Sequence, residues 1–79
     1  MTTLPNREGP ADLLDVVLNG EALAVPPSTT LDGLIAIVGI ERRGVAIAVD
    51  GQVVPRSAWQ SSRLYCGARV EIVTAAAGG

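Results

Sequence analysis

Asn19-Gly20 and Asp50-Gly51 are the features that most restrict how this chain can fold. Asn or Asp followed by Gly accepts the two consecutive positive φ angles of a type I′ turn, whose twist suits a pair of antiparallel strands. Short alternating segments flank both turns. Leu14 to Leu18 sets Leu14, Val16 and Leu18 on one face and Asp15 and Val17 on the other, while Glu21 to Val25 sets Leu23 and Val25 together. Beyond it Pro26-Pro27 stops the ladder, because neither residue has an amide hydrogen to donate. Around the second turn, Val45 to Val49 puts three β-branched residues on one face and Ala46 and Ala48 on the other, and Gln52-Val53-Val54 is closed by Pro55. Two hairpins are therefore expected.

Between them lies a helix over roughly Thr30 to Val38. Leu31, Leu34, Ile35 and Val38 fall at i, i+3, i+4 and i+7, with Ile37 broadening the stripe. Thr29 or Thr30 offers an N-cap, Asp32 complements the positive first turn, and Gly39-Ile40 reads as a Schellman ending. Gly33 weakens the interior by ~1 kcal/mol relative to Ala, so packing must hold this helix. Glu41-Arg42-Arg43-Gly44 reads as a charged, solvated loop. After Pro55, Ser57 and Gln60 have the spacing of a capping box around Trp59, which suggests one short helical turn with Trp59 closing the core beneath the hairpin. A short strand at Arg63 to Tyr65, a turn at Cys66-Gly67 and a last strand from Arg69 to Thr74, with Val70 and Ile72 inward, complete a β-β-α-β-β-β order. The fold class is α+β.

With 79 residues there is room for one domain, expected over residues 13–74, preceded by a mobile leader over 1–12 and followed by a tail over 75–79. The chain has no His, which excludes His-based acid–base chemistry, His-activated nucleophiles and His-ligated metals. Its one Cys, Cys66, cannot form an internal disulfide and reads as incidental, or as a persulfide acceptor or a thiol able to form a thioester with an activated terminus. No stretch resembles a membrane span or a signal peptide, so a cytoplasmic location is expected. A net charge of −2 favours neither nucleic acid nor an anionic membrane as partner. All six basic residues are Arg; lacking Lys, the chain cannot take an isopeptide bond on a side chain.

The ending, Ala75-Ala76-Ala77-Gly78-Gly79, carries no charged side chain and nothing able to fill a core. Five residues can extend ~17 Å, and terminal glycines let a narrow channel close around the backbone. Ala77, Gly78 and Gly79 are thus suited to entering a partner's active site. A free carboxylate is a poor electrophile, so Gly79 would need activation, for example as an acyl-adenylate whose AMP then leaves. The chain has no phosphate-cradling loop, so ATP would be bound by an activating partner, with no cofactor and no metal held here.

From Leu14 to Gly79 the chain resembles the ThiS family, ubiquitin-like sulfur carriers of thiamine biosynthesis. The resemblance rests on Val49 to Trp59, with its Val54-Pro55-Arg56-x-x-Trp59 core, on Leu18-Asn19-Gly20-Glu21, on the Thr-initiated helix and on Gly78-Gly79. It departs in the leader, in Cys66-Gly67-Ala68, a turn where the family usually has acidic residues, and in the bland Ala75 to Ala77. The resemblance implies a β-grasp fold, a mixed sheet of about five strands around one main helix with first and last strands parallel at the centre. It also implies a non-catalytic role. Gly79 would be adenylated by a ThiF-type enzyme, converted to a thiocarboxylate with sulfur from a donor enzyme such as a cysteine desulfurase, and presented to a ThiG-type thiazole synthase. Val17, Ala46, Ala48 and Val73 are candidates for a docking face, or merely for a small-residue outer face. Other roles fit the same ending: a carrier for molybdopterin or cysteine synthesis, a ubiquitin-like protein modifier, or an interaction domain with an inert tail. The Val-Pro-Arg-x-x-Trp element argues against the molybdopterin carrier.

Overall fold

A computed structural model describes residues 13–74. Both Asx-Gly pairs form two-residue hairpin turns, with φ of 49° and 87° at Asn19 and Gly20 and of 50° and 85° at Asp50 and Gly51. The first joins β1 (Leu14–Leu18) to β2 (Glu21–Val25), and the second joins β3 (Val45–Val49) to β4 (Gln52–Val54). Register follows from the turns, Leu18 pairing with Glu21 and Val49 with Gln52. A last strand, β5 (Arg69–Thr74), inserts between the hairpins, giving the sheet order β2-β1-β5-β3-β4. It runs parallel to β1 and antiparallel to β3.

One helix, α1 (Leu31–Val38), follows the Pro26-Pro27 stop. Thr30 is the N-cap, its Oγ1 accepting from Gly33 N at 3.1 Å. Gly39 ends the helix at φ 77°, donating to Ala36 O while Ile40 N donates to Ile35 O, the paired bonds of a Schellman motif. At eight residues, α1 is shorter than the ~12–15 needed for stability in isolation, so its buried side chains hold it. Leu31, Leu34 and Ile35 pack with Val16, Val25, Ile47, Val70 and Ile72 from the sheet and with Trp59 and Leu64 from the connection. Ile37, included in the apolar stripe from its spacing, is instead half exposed.

Two local expectations are corrected. Residues Arg56–Ser61 do make a helical turn, a 3-10 helix, but Pro55 precedes it and no side chain caps it, so the Ser57–Gln60 capping box does not form. Proline fixes the entry by its own φ of −63°, and the bond Ala58 N to Pro55 O starts the turn. Arg63 to Tyr65 is not a strand. It makes one isolated bridge, Arg63 with Thr30, flanked by Leu31 N to Ser62 O and Leu64 N to Thr29 O. The first satisfies the amide of Leu31 at the start of α1, and the second ties the Leu64 amide to Thr29 O just before the helix, so the segment's backbone is spent on the helix entry.

Candidate functional site

The strand that leads towards the C-terminus lies at the centre of the sheet, between β1 and β3. On its β1 side the backbone groups of Ala68, Val70 and Ile72 face β1 and the turn that follows it. Val17 N donates to Ala68 O and Asn19 N to Val70 O, both at 2.9 Å. At Asn19 the main chain turns away into the left-handed region, yet the ladder does not stop. Asn19 Oδ1 accepts from Ile72 N at 2.9 Å, and Asn19 Nδ2 donates to Ile72 O at 3.4 Å. The side-chain amide thus takes the place of one more peptide unit.

At the other hairpin Asp50 plays the matching part at the start of β5. Asp50 N donates to Arg69 O at 2.8 Å, Oδ1 accepts from Arg69 N at 3.1 Å, and Oδ2 accepts from the Tyr65 hydroxyl. The Tyr65 bond foremost, then the Arg69 amide, holds the Asp50 carboxyl below its ordinary value of 3.8. The same bond raises the Tyr65 hydroxyl above 10.0. Neither tether is visible in a linear reading, since Asn19 and Ile72 are 53 positions apart. The available signal was that an Asx residue before Gly brings a short polar side chain able to bond backbone nearby.

Beneath the β3–β4 hairpin, Trp59 is 1% exposed and its Nε1 donates to Val54 O at 2.9 Å, so it closes the core as expected. Arg56 lies 5.2 Å and Arg42 5.9 Å from its ring centroid, within cation–π range. Arg42 is consequently not simply solvated. Its Nη1 also stands 3.2 Å from Asp32 Oδ1, an ion pair whose angle falls short of a hydrogen bond.

The outer face of the sheet carries the residues singled out for docking. Ala46 stands opposite Val73, and Ala48 opposite both Glu71 on one side and Val53 on the other. Val53 and Val73 are 74% and 63% exposed, and Val53 was missed because β4 is too short to show alternation. Val17 pairs with Arg69, so Arg69 and Glu71 on β5 separate it from the other three. Val17, Gly20, Arg69, Val70 and Glu71 line a cleft of about 370 Å³ there. A wider groove of about 550 Å³ runs between the β3–β4 hairpin and Ser62 to Tyr65. Cys66 is exposed in its turn, with Gly67 at φ 87°. Among the described residues no group of three potential metal ligands comes together, and no helix is long and apolar enough to cross a membrane. Ala77, Gly78 and Gly79, like the leader over 1–12, lie outside the described residues.

The sequence model of the ThiS family matches residues 12–79, which includes the whole sheet and the Gly-Gly end. The chain belongs to the ThiS family. Its fold is the β-grasp: a crystal structure of thiamine biosynthesis protein ThiS from Geobacter metallireducens superposes with a TM-score of 0.72 at 22% identity, covering 84% of this chain and all of that one. No match is found among curated proteins. In this ThiS-family chain the described elements run up to Thr74, and the family match continues through residue 79.

Proposed function

We propose that this protein is a sulfur carrier of thiamine biosynthesis, acting in the cytoplasm, and that its transferable group is the carboxylate of Gly79. The family match reaching residue 79 is the observation that carries this reading. A carboxylate oxygen of Gly79 attacks the α-phosphorus of ATP in a ThiF-type enzyme, and pyrophosphate leaves. A sulfur nucleophile then displaces AMP from the acyl carbon. Bisulfide gives the thiocarboxylate directly, whereas a persulfide from a cysteine desulfurase gives an acyl disulfide that a thiol must reduce. A thiazole synthase of the ThiG type accepts the sulfur, and the carboxylate is regenerated.

The chain's own contribution is presentation. The partner supplies ATP binding and catalysis, so the chain is a co-substrate and not an enzyme. Ala46, Ala48, Val53 and Val73 form an apolar outer strip for the activating enzyme, with Val17 beyond the Arg69–Glu71 row. Ala77, Gly78 and Gly79 enter the active site, where the absence of side chains beyond a methyl lets the walls close on the backbone.

Incubation with a ThiF-type enzyme, ATP and a sulfur source tests this. Exchange of one oxygen for sulfur at Gly79 is expected, read by thiocarboxylate-selective alkylation and sequencing of the C-terminal peptide. Intact mass would confuse this product with oxidised Cys66 or Met1. Cys66→Ser should still be sulfurated, and deleting Gly79 should abolish the product without unfolding the domain. Label on Cys66 in place of Gly79, or full activity without Gly79, overturns the reading. Sulfur passed to a thiazole synthase, as against enzymes of molybdopterin or cysteine synthesis, fixes the pathway.

A further inference from the structure

Beyond the transferable carboxylate itself, we infer that Asn19 is a positioning residue that sets where the C-terminal tail is released from the sheet. The inference rests on the carrier reading of Gly79. In a parallel ladder the amide of Ile72 would pair with the main-chain carbonyl of residue 19. That carbonyl has swung out of the sheet, because Asn19 is the first residue of the hairpin turn at φ 49°. The side-chain oxygen replaces it at 2.9 Å, and the side-chain nitrogen meets the Ile72 carbonyl at 3.4 Å. Both main-chain polar groups of Ile72 therefore point to the β1 side and are engaged by the Asn19 amide, while on the β3 side Ile72 stands opposite Ile47.

The next two residues are different. Val73 and Thr74 pair only with Ala46 and Val45 of β3. Without the Asn19 amide, β5 would lose its second edge directly after Val70, and residues 72–74 would hang on one ladder. Each residue that peels from the sheet adds ~3.4 Å to the free reach of the terminus. The last residue tied on the β1 side, Ile72, thus sets how much of β5 stays fixed ahead of the terminus.

The geometry requires asparagine in particular. Asp at 19 would keep the acceptor for Ile72 N but set a second carboxylate oxygen against Ile72 O. Gly at 19 would keep the turn, for which positive φ costs it nothing, and remove both bonds. Asn19→Gly is thus a deletion of the tether with the hairpin preserved, and Asn19→Asp a half-deletion.

Amide hydrogen exchange on the free chain and adenylation kinetics with a ThiF-type enzyme test the inference together. Asn19→Gly should speed exchange at Ile72 by roughly tenfold, the equivalent of one or two net hydrogen bonds, with Val16 unaffected. In kinetics it should raise KM for the carrier while kcat stays near the native value. The decisive arm shortens the tail by deleting Ala75. In the native background this should cost much of the activity, whereas in Asn19→Gly part should return, because residues released from β5 restore the lost reach. Asn19→Asp should fall between. An equal loss from the Ala75 deletion in both backgrounds, or unchanged Ile72 exchange in Asn19→Gly, overturns the positioning role while leaving the carrier reading intact. No adenylation of Gly79 in the native chain overturns the carrier reading, and this inference with it.

Discussion

Asp50 and Arg69 exchange two hydrogen bonds across the mouth of the second hairpin, Asp50 N donating to Arg69 O at 2.8 Å and Arg69 N to Asp50 Oδ1 at 3.1 Å. The first bond continues the β3–β5 ladder through the turn residue; the second uses its side chain. With the Tyr65 hydroxyl on the remaining oxygen, one exposed carboxylate joins three separate segments.

That arrangement makes the start of β5 sensitive to acid. The Asp50 carboxyl is held below 3.8, so its stabilising effect is complete above that value and is lost as pH falls through the lower folded value. Thermal midpoints of the native chain should drop more steeply below 3.8 than those of Asp50→Asn, which keeps a turn-compatible side chain. Tyr65 is shifted the opposite way. Its contribution is complete below 10.0 and is lost as pH rises through the higher folded value, so Tyr65→Phe should flatten the alkaline limb.

Trp59→Ala should destabilise the domain by ~3 kcal/mol or more, because it empties a fully enclosed site, leaves Val54 O without its donor and removes the ring beneath two guanidinium groups. Trp59→Phe keeps most of the volume but not the donor, and should cost ~1 kcal/mol or more. Chemical unfolding measures both. Sulfuration of whatever fraction stays folded should persist; lost activation with a normal unfolding curve would make Trp59 a partner contact.

Gly33→Ala should stabilise the chain by ~0.5–1 kcal/mol. A Cβ at this position would sit 3.5 Å from Thr29 Cγ2 and from Thr30 Oγ1, ordinary contacts that leave the N-cap in place. A lower denaturation midpoint would show that the capping turn cannot accept even a methyl group.

Removing residues 1–12 should leave the thermal midpoint unchanged. The core runs from Val16 to Ile72, and the leader's composition offers little apolar surface to offset its ordering entropy. A large fall in the midpoint would place part of the leader on the domain.

What was legible beforehand is what depends on neighbours in sequence. The Asx-Gly turns, the helix from Thr30 to Gly39 and the alternation in β1, β3 and β5 all follow from local stereochemistry and burial period, and each element lies where those rules put it. Placement of β5 beside β1 at the centre came from the family resemblance, and its other neighbour, β3, from the structure, because nothing local chooses a strand's neighbours. Arg63 to Tyr65 misled because a β-like extended segment was read as a strand when its backbone groups are used by the start of α1. Ser57 and Gln60 matched a capping pattern, but Pro55 had already fixed the entry to that turn. In the candidate site, Ala46, Ala48 and Val73 could be grouped from alternation alone. The Arg69–Glu71 row that parts them from Val17 depends on the register of a parallel pair set by residues more than fifty positions apart.

Because β5 is central, the order of synthesis matters. Among the described residues the β1–β2 and β3–β4 hairpins share no ladder with each other and are joined only through β5, which is made after both. A nascent chain that stops short of Arg69 has two hairpins and a helix with no common sheet, and such non-local pairing is slow to form. Completion of the fold therefore waits for the C-terminal segment to emerge. A chain broken off before β5 would remain a target for proteolysis, so the architecture ties passing the cell's folding checks to having β5 translated.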